Sequence, residues 1–161
     1  MTKLIKSGAY AQNAYAPVAE DAALPDGAII VSLARFQKDR EALLTRNTPL
    51  GIRLQSHENP ETLGEDIHHF ALVALEFPKF RDGRAFSWAR LLRTRLGFTG
   101  EIRAVGDFLY DQVNYQKRVG FDAWEVPDNF RLEDFAKALG EMSHVYQPSA
   151  DGKKTIRELR V

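Results

Sequence analysis

The run Pro78-Lys79-Phe80-Arg81-Asp82-Gly83-Arg84 gathers three cations and a glycine in seven residues, and the hydroxyl of Ser87 follows three positions later. If this run leaves a strand and enters a helix, free N–H groups and a partial positive charge stand at its end, and both attract anions. Lys79, Arg81 and Arg84 would add side-chain charge there, and Gly83 would let a ligand approach the backbone. Arg103 is a further cation for the same ligand. The anion would be sulfate, sulfite, a phosphate group or a carboxylate of another protein. If the site is catalytic, Asp107 and Glu76 are the candidates for moving a proton. The bland alternative is that these arginines pair with Asp82, Asp107 and Glu76, and that the basic run is simply solvated.

Other polar residues point less clearly to chemistry. Gln112 falls among Phe108, Leu109 and Val113 on the inward side of a predicted helix, so its amide needs a partner, and a backbone carbonyl of the adjacent strand is expected before a ligand. His57, His68, His69 and His144 show no metal spacing, and adjacent His68 and His69 point apart if they lie in a strand; no metal site is expected. There is no phosphate-binding loop, three-glycine nucleotide fingerprint or nucleophile elbow. Gly97, Gly100 and Gly106 are too widely spaced for a dinucleotide loop and read as turns and caps. No cofactor is evident.

Composition narrows the classes further. The absence of cysteine excludes disulfides, thiol catalysis and thiolate-bound metal. The 22 basic and 22 acidic residues cancel, which argues against a nucleic-acid partner. Between Lys79 and Arg103, however, seven basic residues stand against Asp82 and Glu101. No apolar run is long enough to span a bilayer, and Met1 to Lys6 leads into no apolar leader segment. A cytoplasmic protein without membrane contact is expected.

The elements that must position these residues follow from periodicity. Phe70 to Phe77 reads as a strand buried on both faces. Ala85, Trp88, Ala89, Leu92 and Leu96 form one apolar helical stripe, with Ser87, Arg90 and Thr94 opposite and Gly97 as an αL cap. Strands are also predicted at Lys3 to Lys6, Ala28 to Leu33, Gly51 to Gln55, Glu101 to Val105 and Ala123 to Val126. Helices are predicted over Ala34 to Thr45 behind Ser32, from Pro60 to about Ile67, from Gly106-Asp107 to Gly120, and after Asn129 with Leu132, Phe135, Ala136 and Leu139 on one face. The result is an α/β domain of about five β-α units over residues 28–147, flanked by an N-terminal arm (1–27) and a mobile basic tail (148–161). Its mainly parallel sheet is curled like a partial barrel or, alternatively, is an open doubly wound sheet with helices on both faces. Arg53, Glu76, Arg103 and Glu125 fall one per strand with alternating sign. A ladder of these charges on one face would favour the curled form. Such a sheet leaves one face to be covered, by a homodimer or by the arm, with the arm disfavoured because it has few large apolar residues.

At F-P-K-F-R-D-G-R-A-F-S-W-A-R-L-L-R, followed by G-F-T-G-E-I-R-A-V-G-D and R-V-G-F-D-A, the chain resembles the bacterial DUF934 family over about Leu24 to Trp124. The resemblance implies an association with assimilatory sulfite reduction, for which family members are described as oxidoreductases. Where the family often has R-C-G-F, this chain has Arg118-Val119-Gly120-Phe121, which leaves a thiol role without its residue. With no cofactor motif present, the expected function is an accessory protein that binds a sulfite or nitrite reductase, or a small anion, through the basic loop. The alternative is an oxidoreductase acting on a small anion held by Arg81, Arg84 and Arg103.

Overall fold

The computed structural model describes residues 2–140 and 147–160, so the reading of His144 lies outside the described residues. Eight strands form one sheet in the order β2-β1-β8-β7-β6-β5-β4-β3. They are β1 (Thr2–Lys6), β2 (Ala9–Ala11), β3 (Ala16–Pro17), β4 (Ile29–Ser32), β5 (Leu50–Leu54), β6 (Leu72–Phe77), β7 (Glu101–Gly106) and β8 (Ala123–Pro127). From β3 to β8 every pairing is parallel, whereas β1 runs antiparallel to both β8 and β2. The β1-β2 turn is Ser7-Gly8, both with positive φ, the geometry that matches the twist of a tight hairpin. Part of the arm is thus built into the sheet as strands.

The sheet is curled into a half-barrel, and chain length shows why it must be. β2 and β3 lie at opposite edges, yet only five residue steps separate Ala11 from Ala16. Those steps reach at most about 18 Å, while a flat eight-stranded sheet would hold its outer strands about 34 Å apart. The segment between them therefore crosses the concave face like a strap. Three arginines hold the arm in place. Arg103 Nη1 donates to Asn13 Oδ1, Arg35 Nη1 donates to the carbonyls of Ala19 and Glu20, and Arg46 Nη2 donates to those of Pro25 and Gly27.

The helices are α1 (Leu33–Lys38), α2 (Arg40–Leu44), α3 (Arg84–Thr94), α4 (Val113–Val119), α5 (Leu132–Gly140) and α6 (Ile156–Leu159). The main core lies between the helices and the convex face, where Ile52, Val73, Leu75, Phe77, Ile102 and Trp124 meet Ala85, Ala89 and Leu92. The α3 stripe is therefore oriented as its spacing predicts, with Arg90 and Thr94 exposed and Gly97 at φ +63°.

Several sequence expectations are corrected. The predicted 34–45 helix is broken at Asp39, whose φ of −115° and ψ of 28° are not helical. His68 and His69 end a 3₁₀ segment, Pro60–His69, instead of starting a strand, and a kink at Gly64 interrupts that segment. Asp107 caps no helix, because Gly106 ends β7 and the chain continues extended before the turn at Tyr110–Gln112 and α4. In α5 the buried small residue is Ala138, and Ala136 faces outward. Beyond residue 147 the chain runs along α4. Arg118 donates to the Gln147 carbonyl and to Asp151, and Ser149 Oγ donates to the Arg118 carbonyl.

Candidate functional site

The loop between β6 and α3 has the predicted context, with a buried strand before it and Gly83 as the N-cap residue of α3. Within it the cations divide into two kinds. Arg84 is engaged by Asp82: Nε donates to Oδ1 at 3.0 Å, Nη2 to Oδ2 at 2.6 Å, and the Arg84 amide to Oδ1 at 3.2 Å. The Arg84 hydrogen bond holds the Asp82 carboxyl well below the usual carboxylate range. The protein's own carboxylate therefore lies where a bound anion would meet Arg84 and the first amide of the helix. Arg84 Nη2 and Trp88 Nε1 also donate to the hydroxyl and carbonyl of Ser56, tying this loop to the one after β5.

Lys79 and Arg81 are exposed and pair with no acid among the described residues. Arg81 lies over the ring of Phe80 at 5.3 Å. Ser87 is exposed on the first turns of α3. Asp107 is exposed, with its amide on the Phe77 carbonyl at 2.7 Å. Gln112 acts as a clasp: Nε2 donates to the Phe80 carbonyl and Oε1 accepts from the Leu109 amide. The partner is a backbone carbonyl as expected, but it comes from the loop after β6 and not from the adjacent strand, and Gln112 is half-buried in the turn before α4 and does not face inward from a helix. This clasp ties the backbone at Phe80 to the backbone at Leu109, and Tyr115 stands beside Phe86 with ring centroids 5.2 Å apart. Phe80, Leu109 and Tyr115, at 38%, 43% and 49% exposure, are three of five exposed large apolar side chains among the described residues. Sequence reading missed this link, because nothing in the local spacing shows that the loops at residues 80 and 109 are joined.

Arg103 and Glu76 are not part of that loop cluster. Lateral pairing of Arg53 with Ala74 and of Ala74 with Arg103 puts both arginines on the concave face, with Glu76 and Glu125 two residues further along their strands. The four charges thus share a face and follow chain order, but only Arg53 and Glu76 pair, at 3.3 Å. Arg103 is 2% exposed and binds Glu101 on its own strand at 2.8 Å. Glu101 also takes Lys6, whose pKa it raises. The arm thus separates Arg103 from solvent.

At the third motif, Gly120 has φ +121°, and a Cβ there would lie 2.5 Å from Arg93 Cγ. Arg93 spans this corner, donating to the carbonyls of Phe98, Gly100 and Gly120 and to Asp122. Val119, in the third motif, is buried in the core at 1% exposure. Among the described residues no three His, Asp or Glu side chains gather into a metal-binding group, and no helix is long and apolar enough to cross a membrane.

No curated protein and no solved structure matches the chain. The family described as "Bacterial protein of unknown function (DUF934)" matches residues 51–157, a span that runs from β5 through the basic loop and the Arg93–Gly120 corner into α6. The chain belongs to the DUF934 family.

Proposed function

We propose that the protein is an accessory component of assimilatory sulfite reduction that docks on an acidic face of a sulfite or nitrite reductase through the rim formed by the loops after β6 and β7. One observation supports this reading: Gln112 joins the loop that exposes Phe80, Lys79 and Arg81 to the loop that exposes Leu109, through the Phe80 carbonyl and the Leu109 amide. Aromatic anchors with an arginine nearby are the composition of protein interfaces whose energy is concentrated in a few residues. The nature of the partner follows from the family resemblance. An enzyme acting on a small anion draws less support, because Arg84 is held by Asp82 and Arg103 by Glu101 and Asn13.

The test is a titration of purified protein against purified sulfite and nitrite reductases. Binding should weaken with added salt, as steering by Lys79 and Arg81 requires. Phe80→Ala and Arg81→Ala should each weaken it about tenfold or more. Binding that survives the Phe80→Ala/Arg81→Ala double variant unchanged would remove this rim from the interface. Failure to bind either reductase would remove sulfite reduction from the proposal.

A further inference from the structure

The concave face holds a second site that owes nothing to the rim. Beneath the arm lies a cavity of about 240 Å³. A wider opening of about 340 Å³ continues it toward the carboxyl ends of the strands, with Arg53, Val105 and Glu125 common to both. Small apolar residues, Ala74 and Val105, line the cavity between Arg53 and Glu125, and Tyr15 of the arm lines it from the other side. In parallel sheets and barrels, the carboxyl ends of the strands are where ligands enter.

The polar groups around this cavity fall into two sets. Each nitrogen of Arg103 has a partner, Nε and Nη2 on Glu101 and Nη1 on Asn13. Arg53 differs. Its one contact is from Nε to Glu76, at 3.3 Å, and its two terminal nitrogens have no partner among the described residues. Glu125 accepts a single long bond, from the Thr2 hydroxyl at 3.3 Å. The Tyr15 hydroxyl has no hydrogen bond among the described residues. Burial, with Glu101 nearby, pushes its pKa up, so it stays a donor at neutral pH. Arg53 and Glu125 therefore line one cavity without pairing to each other.

A purely anionic ligand would meet Glu125, and a purely cationic one would meet Arg53. A ligand carrying both charges satisfies both walls. We propose that this cavity binds a small amphoteric molecule, its anionic group on Arg53 and its ammonium on Glu125, with Tyr15 closing over it. The space beneath the arm lies below the roughly 300–1,000 Å³ of sites for drug-sized ligands, which favours a ligand of the size class of a small amino acid there, a longer one reaching into the wider opening.

A series of amino acids with increasing charge separation measures the site: glycine, β-alanine, 4-aminobutyrate and 5-aminovalerate, with acetate and methylammonium as single-charge controls. Added to the full chain in thermal melts and calorimetric titrations, one length should raise the melting temperature saturably, and neither control should. Arg53→Gln and Glu125→Gln should each weaken that binding at least tenfold. Ala74→Leu, which fills the cavity floor and leaves both charges, should abolish it. The proposal is overturned if no member of the series shifts wild-type protein, if a single-charge control binds as well, or if binding persists in the folded variants.

Discussion

Arg103 Nη1 donates to Asn13 Oδ1 at 3.0 Å, joining residues ninety positions apart. The same oxygen accepts the Tyr15 amide, so one side chain both shapes the strap and fastens it to the sheet. Arg103 is buried, and its removal leaves Glu101 with Lys6 as its only charge partner. Arg103→Met should therefore cost about 3 kcal/mol, near the low end of the range for breaking a buried pair. Asn13→Ala should cost about 1 kcal/mol, yet it should speed proteolysis within residues 12–18. Urea unfolding and limited proteolysis measure the two effects. Wild-type behaviour of both variants would mean that the strap is held by something else.

Gly106 and Gly97 both have positive φ, at +100° and +63°, but their surroundings differ. A Cβ on Gly106 would lie 2.3 Å from the Phe77 carbonyl oxygen, whereas one on Gly97 meets nothing within 4 Å. Gly97→Ala should cost about 1–2 kcal/mol, the conformational term alone. Gly106→Ala should cost at least about 3 kcal/mol, because β6 must move as well. Equal losses in denaturant melts would contradict the close approach of β6 and β7 at this corner.

Leu92 is fully buried against the sheet, and Arg90 on the same helix is exposed. Leu92→Ala should destabilise by about 2–5 kcal/mol, and Arg90→Ala by less than about 0.5 kcal/mol. Denaturant midpoints of the pair check the orientation of α3.

The Asp82 carboxyl titrates below its ordinary value because Arg84 stabilises the charged form. A lowered folded-state pKa means that the contribution is present above the unfolded value. It is lost as pH falls through the carboxylate range, from about pH 5 downward. Asp82→Asn should therefore lower stability by a constant amount between pH 7 and 9 and flatten the acid limb, so that the two proteins converge as pH falls through the carboxylate range. The same variant frees Arg84 and the first amide of α3. Saturable stabilisation by sulfate should therefore be stronger in Asp82→Asn than in wild type, beyond the general exclusion effect of this salt. Melting temperatures across pH and sulfate concentration test both statements. An identical sulfate dependence in the two proteins would show that Asp82 does not block an anion site.

Much of this protein could be read from local pattern. The unbroken apolar run of β6, the 3.6-residue stripe of α3 and the single charge between apolar neighbours in each strand from Arg53 to Glu125 are all local patterns. Burial enforces those patterns directly, because a slip in register would turn charges into the core. The parallel α/β class and the loop context of Lys79 to Arg84 were legible for the same reason. The family itself was legible in three motifs, and the Arg93–Gly120 corner shows one physical constraint behind the third.

What local pattern could not show was decided by contacts distant in sequence. The short path from Ala11 to Ala16 curls the sheet only because β2 and β3 occupy opposite edges, and edge order is a property of the whole chain. The arm crosses the concave face, although counting its large apolar residues makes it the less favoured of the two covers. Its attachment depends instead on hydrogen bonds from Arg103, Arg35 and Arg46, mostly to backbone carbonyls that no residue type advertises. The division of the basic residues was equally tertiary. Arg84 and Arg103 are satisfied internally while Lys79, Arg81 and Arg53 keep donors exposed, and that difference arises from the positions of Asp82, Glu101 and Asn13 in space. A charge's availability depends on what the fold brings within about 3 Å of it, a distance that sequence spacing sets only for near neighbours.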